Sequence, residues 1–266
     1  MPIAPFESEI LHRLAANRNP ESFVGGATVL HQKQDSPRAS RDIDVFHDTA
    51  EAVRLAAERD IETLREAEYT VNITAQQETF WRAQVRKEPL ATKVEWVYDS
   101  AFRFFPVEQD VELGWRLNFW DVATNKVLAL VGRDKLRDWI DVLYLHKSHL
   151  HLGALVWAAA AKDPGLTPEM ILDCARRFGR FPATQNDWVA LGLSPPGDLT
   201  ALKKEFLEMT WDAQRLVERL PPSEMGCLYL DLSRQPVRPD PDAGEFHKLT
   251  RHFGSIKGAW PRISDA

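Results

Sequence analysis

The sequence predicts an α+β protein: a mixed sheet with helices, followed by a mostly helical region. Two observations carry this. Short apolar runs with strand character at 22–25, 42–46, 69–75, 79–85 and 91–98 alternate with helical patterns and then succeed one another as a meander. From Asp121 onward the apolar residues recur instead at helical spacing. The change of period sets a boundary near Trp120, dividing the chain into an α+β domain over 1–120 and a helical region over 121–266.

In order, Phe6, Ile10, Leu11 and Leu14 predict a helix over 6–17 that Pro20 ends, and Ser22–Gly25 reads as a strand. Ala27–Gln34 reads as a helix, residues 35–38 as a turn, and Asp42–Phe46 as a strand. The Ala-, Glu- and Arg-rich stretch Thr49–Ala67 predicts a helix, and Tyr69–Ala75, Thr79–Val85 and Ala91–Tyr98 predict strands, with a less regular fourth run over Val111–Phe119. Helices follow over Asp121–Val131 and Asp134–His149, joined at Gly132, then over 154–161 and Thr167–Phe178, the last with Thr167 as N-cap and Pro168 at the first helical position. Pro182–Pro196 reads as a loop-rich spacer. Leu199, Leu202, Phe206, Met209, Ala213, Leu216 and Leu220 then mark an amphipathic helix of about six turns. One strand, Cys227–Leu232, precedes a Pro-, Arg- and His-containing tail.

Composition narrows the function classes. The chain has 266 residues, 44% hydrophobic and 27% charged, which suits a globular protein with a substantial core. A net charge of -6 argues against a protein that holds nucleic acid through a global basic field, while leaving room for a local patch such as Arg176, Arg177 and Arg180. Cys174 and Cys227 have no metal-ligand spacing and read as reduced thiols. No apolar run is long enough to span a bilayer and the first residues lack a signal pattern, so the expected location is cytoplasmic, with no membrane partner.

The stretch from Phe23 to Phe46 carries the candidate chemistry. Asp42 and Asp44 are two apart on a strand, so both carboxylates face one side and offer hard oxygen ligands to Mg²⁺. Glu95, set in the apolar run 94–97, is the candidate third metal ligand, because an acid in a buried strand needs a cation. Gly25 and Gly26 let the backbone approach phosphates closely. Neither a Walker loop nor a dinucleotide fingerprint is present. Lys126 and Arg133 are seven apart and share a face if their helix continues through Gly132, where they could meet a triphosphate; Arg137 is placed to pair with Asp141. His146, His149 and His151 read as helix-end or surface residues.

Taken together, Gly-Gly, Arg-x-Ser-x-Asp-x-Asp, Lys…Arg and Arg-Asp-x-x-Asp, in that order over roughly residues 20–148, resemble the nucleotidyltransferase-fold AbiEii/AbiGii toxin family, relatives of the polymerase-beta-like minimal nucleotidyltransferases. The resemblance implies a nucleotidyltransferase-like sheet. It implies phosphate contacts at Gly25 and Gly26, metal binding at Asp42 and Asp44 with Arg38 and Ser40 just before them, and nucleotide contact by Lys126. It further implies that Asp138, with Asp141 behind it, orients Lys126 or assists the acceptor. Where the family motif carries a hydroxyl directly after the glycines, this chain has Ala27, and Thr28 offers the nearest one. The implied activity is Mg²⁺-dependent transfer of a nucleotidyl group from an NTP to a hydroxyl of a tRNA 3′ end or a protein side chain. The implied setting is the toxin of a toxin–antitoxin or phage-defence pair with a cognate antitoxin. Two alternatives stand beside it: a catalytically degenerate relative that binds nucleotide or a partner, and a small-molecule, antibiotic-type nucleotidyltransferase.

Overall fold

The computed structural model describes residues 3–32, 36–133, 135–178, 184–193 and 198–261. The chain forms two compact units, Met1–Ala101 with Pro106–Val122, and Phe102–Phe105 with Ala123–Ala266.

The first unit is built on a seven-stranded mixed sheet. Its strands are β1 (Ser22–Val24), β2 (Asp42–His47), β3 (Thr70–Gln77), β4 (Phe80–Lys87) and β5 (Leu90–Tyr98). After the two-residue β6 (Phe102–Arg103), which belongs to the second unit, come β7 (Glu108–Asp110) and β8 (Gly114–Arg116). The order is β3-β4-β5-β2-β1-β8-β7. The meander β3-β4-β5 is antiparallel, β5 and β2 run parallel, and β2 and β1 antiparallel, so the sheet is mixed as the alternation of helical and strand patterns predicts. Helices α1 (Pro5–Leu14) and α3 (Ala50–Glu66, N-capped by the Thr49 side chain) bury their apolar stripes. Phe6, Ile10, Val53, Ile61 and Leu64 of these helices form one core with Ile43, Val45, Val94 and Trp96 of the sheet. By area alone, each large side chain withdrawn from water here contributes about 1.5–3 kcal/mol.

Beneath β2 lies a buried polar network. Arg18 donates to both carboxylate oxygens of Asp60 and, at 3.0 Å, to Ser22 Oγ; Trp96 Nε1 donates to Asp60 Oδ2 at 2.7 Å. His47 Nδ1 donates to the Val97 carbonyl, which leaves Nε2 to accept from Ser22 Oγ at 3.1 Å. Burial first, and then the Arg18 charge, lowers the His47 pKa to about 3, so this imidazole is neutral at physiological pH.

The second unit is mostly helical. It contains most of α4 (Phe119–Gly132), then α5 (Leu136–Ser148), α6 (Leu152–Ala159), α7 (Pro168–Phe178), α8 (Gln185–Ala190) and α9 (Leu199–Val217). Every residue of α6 is buried, and α9 turns Phe206, Met209, Ala213 and Leu216 into the same core. The hairpin of β9 (Cys227–Leu230) with β10 (Thr250–Phe253), and the pairing of β11 (Ser255–Ile256) with β6, complete the unit. No described helix is long and apolar enough to cross a membrane. Cys174 and Cys227 are both free thiols.

Several elements differ from the sequence reading. The helix after the glycines, α2 (Gly26–Leu30), has only five residues and stops where His31 leaves helical geometry and its imidazole bonds Ser36 Oγ; residues 33–35 lie outside the described residues. The strand expected over Val111–Phe119 shrinks to Gly114–Arg116, because the Asp110 side chain accepts from the Glu112 and Leu113 amides and turns the chain, and Phe119 opens α4. Within the spacer 182–196, the described part holds α8, started by a capping box between Thr184 and Asp187. The tail after residue 232 supplies β10 and β11.

Candidate active site

The alternation of β2 divides its residues cleanly. Ile43, Val45 and His47 are buried, whereas Asp42, Asp44 and Phe46 are half-buried on the other face. Parallel pairing with β5 sets Asp42 opposite Lys93 and Asp44 opposite Glu95, and antiparallel pairing with β4 sets Glu95 opposite Arg82. Three carboxylates and two cations therefore share one face of the sheet, ordered by strand register.

The glycine pair abuts this face. The Gly25 amide donates to the Asp44 carbonyl at 3.1 Å. A Cβ at residue 25 would lie 2.6 Å from the Phe46 ring; one at residue 26 would lie 2.4 Å from Asp44 Oδ2, with φ +62° in the left-handed region besides. The glycines thus bring backbone against the Asp44 carboxylate. With only five residues, α2 adds little macrodipole, so close approach is what the glycines provide.

Thr28 and Ser40, expected at the nucleotide, are almost fully buried, and both hydroxyls donate to the Asp42 carbonyl, at 3.2 and 2.9 Å, lying 3.3 Å from each other. They hold the backbone at the start of β2. Thr92 Oγ1 does the same for the Arg41 carbonyl, at 2.9 Å. Arg38 is buried, and its guanidinium reaches the Ala39 carbonyl at 3.4 Å.

Glu95 stands on the expected face, but its Oε1 already accepts from Arg82 Nε at 2.6 Å and lies 3.1 Å from Lys93 Nζ. Burial alone would raise its pKa; hydrogen bonds and charge from Lys93 and Arg82 outweigh that and lower it. Lys93 Nζ also lies 3.2 Å from Asp42 Oδ2. Among the described residues no three acid, histidine or cysteine side chains gather as a metal cage. What the face offers is the pair Asp42 and Asp44, and this donor set suits Mg²⁺, which binds through one or two carboxylates and takes its other ligands from substrate phosphates and water. Sequence reading missed Lys93 and Arg82. Lys93 is two residues from Glu95 on the same strand and could have been found by alternation, whereas Arg82 needed the β4–β5 register.

In the second unit, Lys126 is buried, with Nζ 2.9 Å from the fully buried Asp141. Asp138, also fully buried, receives a two-pronged bond from Arg133, whose Nε and Nη2 lie 2.8 and 2.9 Å from its two oxygens. The helix ends at Gly132, so Arg133 lies just beyond it rather than on a face shared with Lys126, and Asp141, not Asp138, holds Lys126. Asp134 lies outside the described residues. His151 caps α6: its Nδ1 accepts from the Gly153 amide, so Nε2 carries the proton donated to Asp212 at 2.6 Å. His146 Nδ1 accepts from the Leu152 amide, so both histidines act at a helix end.

Comparison with known proteins bears on the fold and the family. The chain resembles JHP933 from Helicobacter pylori, with a TM-score of 0.53 and 18% identity, over 79% of this chain and 90% of that one. It resembles MenT4, a nucleotidyltransferase toxin from Mycobacterium tuberculosis, with a TM-score of 0.50 and 15% identity, over 79% of this chain and 84% of that one. Likeness at this identity establishes a shared fold. No curated protein matched. The family model described as nucleotidyl transferase AbiEii toxin, type IV toxin–antitoxin system, matches residues 10–218. With that match reaching from α1 to the end of α9, the chain belongs to the AbiEii nucleotidyltransferase toxin family.

Proposed function

We propose that this nucleotidyltransferase uses Mg²⁺ and an NTP to place a nucleotidyl group on a hydroxyl, either of a tRNA 3′ end or of a protein side chain, and that a cognate antitoxin opposes it. The acceptor oxygen forms a bond to the α-phosphorus, the bond from that phosphorus to the bridging oxygen of the departing pyrophosphate breaks, and the hydroxyl proton passes to solvent. The observation that carries the reading is the apposition of Gly26 and Asp44: backbone without a side chain is pressed against one of two carboxylates that share a strand face. Bound Mg²⁺ would neutralise charge on the phosphates. Asp42 and Asp44 would hold it, and Thr28 and Ser40 keep Asp42 in place through its carbonyl. The glycine turn lets the Asp44 carboxylate pack directly against backbone, with no Cβ between them. Positioning and charge neutralisation are the main catalytic levers in such transfers.

To Lys126 we assign, from the family motif, contact with the nucleotide phosphates, and to Asp141 the holding of its ammonium. Arg133 and Asp138 form a second ion pair that fixes the start of α5, which Asp138 serves from within the first turn.

Incubation with Mg²⁺ and each α-labelled NTP in turn, with total tRNA or cell extract as acceptor, tests this reading. Label on one class of acceptor, with pyrophosphate released, supports it; tight binding of the Mg·NTP with no label transferred would instead favour a binding protein.

A further inference from the structure

The carboxylate face already carries a cation of the chain's own. Lys93 Nζ lies 3.2 Å from Asp42 Oδ2 and 3.1 Å from Glu95 Oε1, bridging the two acids. Glu95 is held independently by Arg82 at 2.6 Å, so it does not need Lys93 to stay in place. The register explains the arrangement, since Asp42 pairs with Lys93 and Asp44 with Glu95 along β2 and β5. The Lys93 side chain is about a quarter exposed and rides on a flexible four-carbon stem, so it can move without unpacking the sheet.

We propose that Lys93 is a tethered counter-ion: it occupies Asp42 while no divalent cation is bound, leaves Asp42 when one arrives, and thereby makes the face select metal carried on a triphosphate over free metal. This rests on the reading of Asp42 and Asp44 as the cation's ligands. Lys93 already neutralises Asp42, so a free divalent ion must both displace the ammonium from that carboxylate and remain beside it. A triphosphate reverses that disadvantage. Its oxygens offer the displaced ammonium new acceptors, and its charge offsets the repulsion between ammonium and metal. Glu95 is then the anchor that keeps Lys93 within reach of the phosphates, rather than a third metal ligand. Lys93 is a positioning and selectivity residue that sets the coupling between metal and nucleotide.

Mn²⁺ titration of the full chain, read by the electron paramagnetic resonance signal of free Mn²⁺, tests the inference without turnover. Wild type, Lys93→Met and Lys93→Arg are compared with and without ATP, and each again in an Asp44→Asn background. Without ATP, Lys93→Met should bind Mn²⁺ about tenfold more tightly than wild type, a coupling of ordinary size. Lys93→Arg, which keeps the charge, should stay near wild type. ATP should close most of the gap, and Asp44→Asn should abolish it. If Lys93→Met binds Mn²⁺ no more tightly while Asp44→Asn still weakens binding, the counter-ion role is overturned and the metal face stands. If Asp44→Asn changes no affinity, the metal face itself is wrong and the role of Lys93 falls with it. A Lys93→Arg protein as tight as Lys93→Met would show that side-chain shape, not charge, is responsible, and would also overturn the proposal.

Discussion

The two faces of β2 carry the same chemical groups in opposite states. Below the strand, Asp60 takes Arg18 and Trp96 in a site closed to water, with neutral His47 alongside. Above it, Asp42, Asp44 and Glu95 are partly exposed, and Lys93 and Arg82, which hold two of them, can move away. A carboxylate sealed under a sheet must keep its partner, because breaking a buried pair strands a charge. One at the surface can exchange its partner for a metal ion or a ligand at small cost. Burial, rather than residue type, separates the carboxylate that builds the fold from those available for chemistry.

Substitutions on the two faces should therefore act on different observables. The largest effect on stability belongs to the lower face: Asp60→Ala leaves Arg18 and the Trp96 indole without their acceptor and should cost about 3–5 kcal/mol, read as a lower denaturant midpoint. A loss below 1 kcal/mol would mean that the network is dispensable. Acid should attack the same face. The folded His47 pKa of about 3 lies below its unfolded value near 6.5, so between those values the unfolded chain binds more protons and stability falls as pH falls. By pH 5 the loss from this group should be about 2 kcal/mol, and His47→Gln should show a correspondingly shallower decline in stability from pH 7 to 5. Gly26→Ala should be the mildest for the fold, about 1–2 kcal/mol for a side chain at positive φ. Its Cβ would nonetheless push Asp44 aside, so transfer should fall by more than the stability change accounts for. Equal losses in both would place Gly26 with the structural residues.

Legibility from sequence also differed between the two faces. Alternation along β2 predicted that Asp42 and Asp44 share a face, as the strand shows, while Lys126 and Asp138, which only the resemblance singled out, pair with Asp141 and Arg133. The mixed sheet followed from the order of its helical and strand patterns, because each long strand shows clear alternation or a continuous apolar run. What stayed hidden depended on register or on contacts distant in sequence. Arg82 reaches Glu95 through strand pairing thirteen residues away, and Arg18 reaches Asp60 across forty-two. Thr28 and Ser40 looked like ligand contacts, and only the path of the backbone shows their hydroxyls on the Asp42 carbonyl. Short elements such as β7, β8 and β11 carry too few residues for any periodicity to register.

The central claim is that the upper face of β2 performs the transfer. The most direct measurement is the rate of label transfer from an α-labelled NTP by Asp44→Asn beside wild type, with thermal unfolding recorded for both. The account predicts a loss on the order of 10³-fold, equivalent to about 4 kcal/mol of transition-state stabilisation, with the melting temperature nearly unchanged. Transfer that survives the substitution in a folded protein would contradict it.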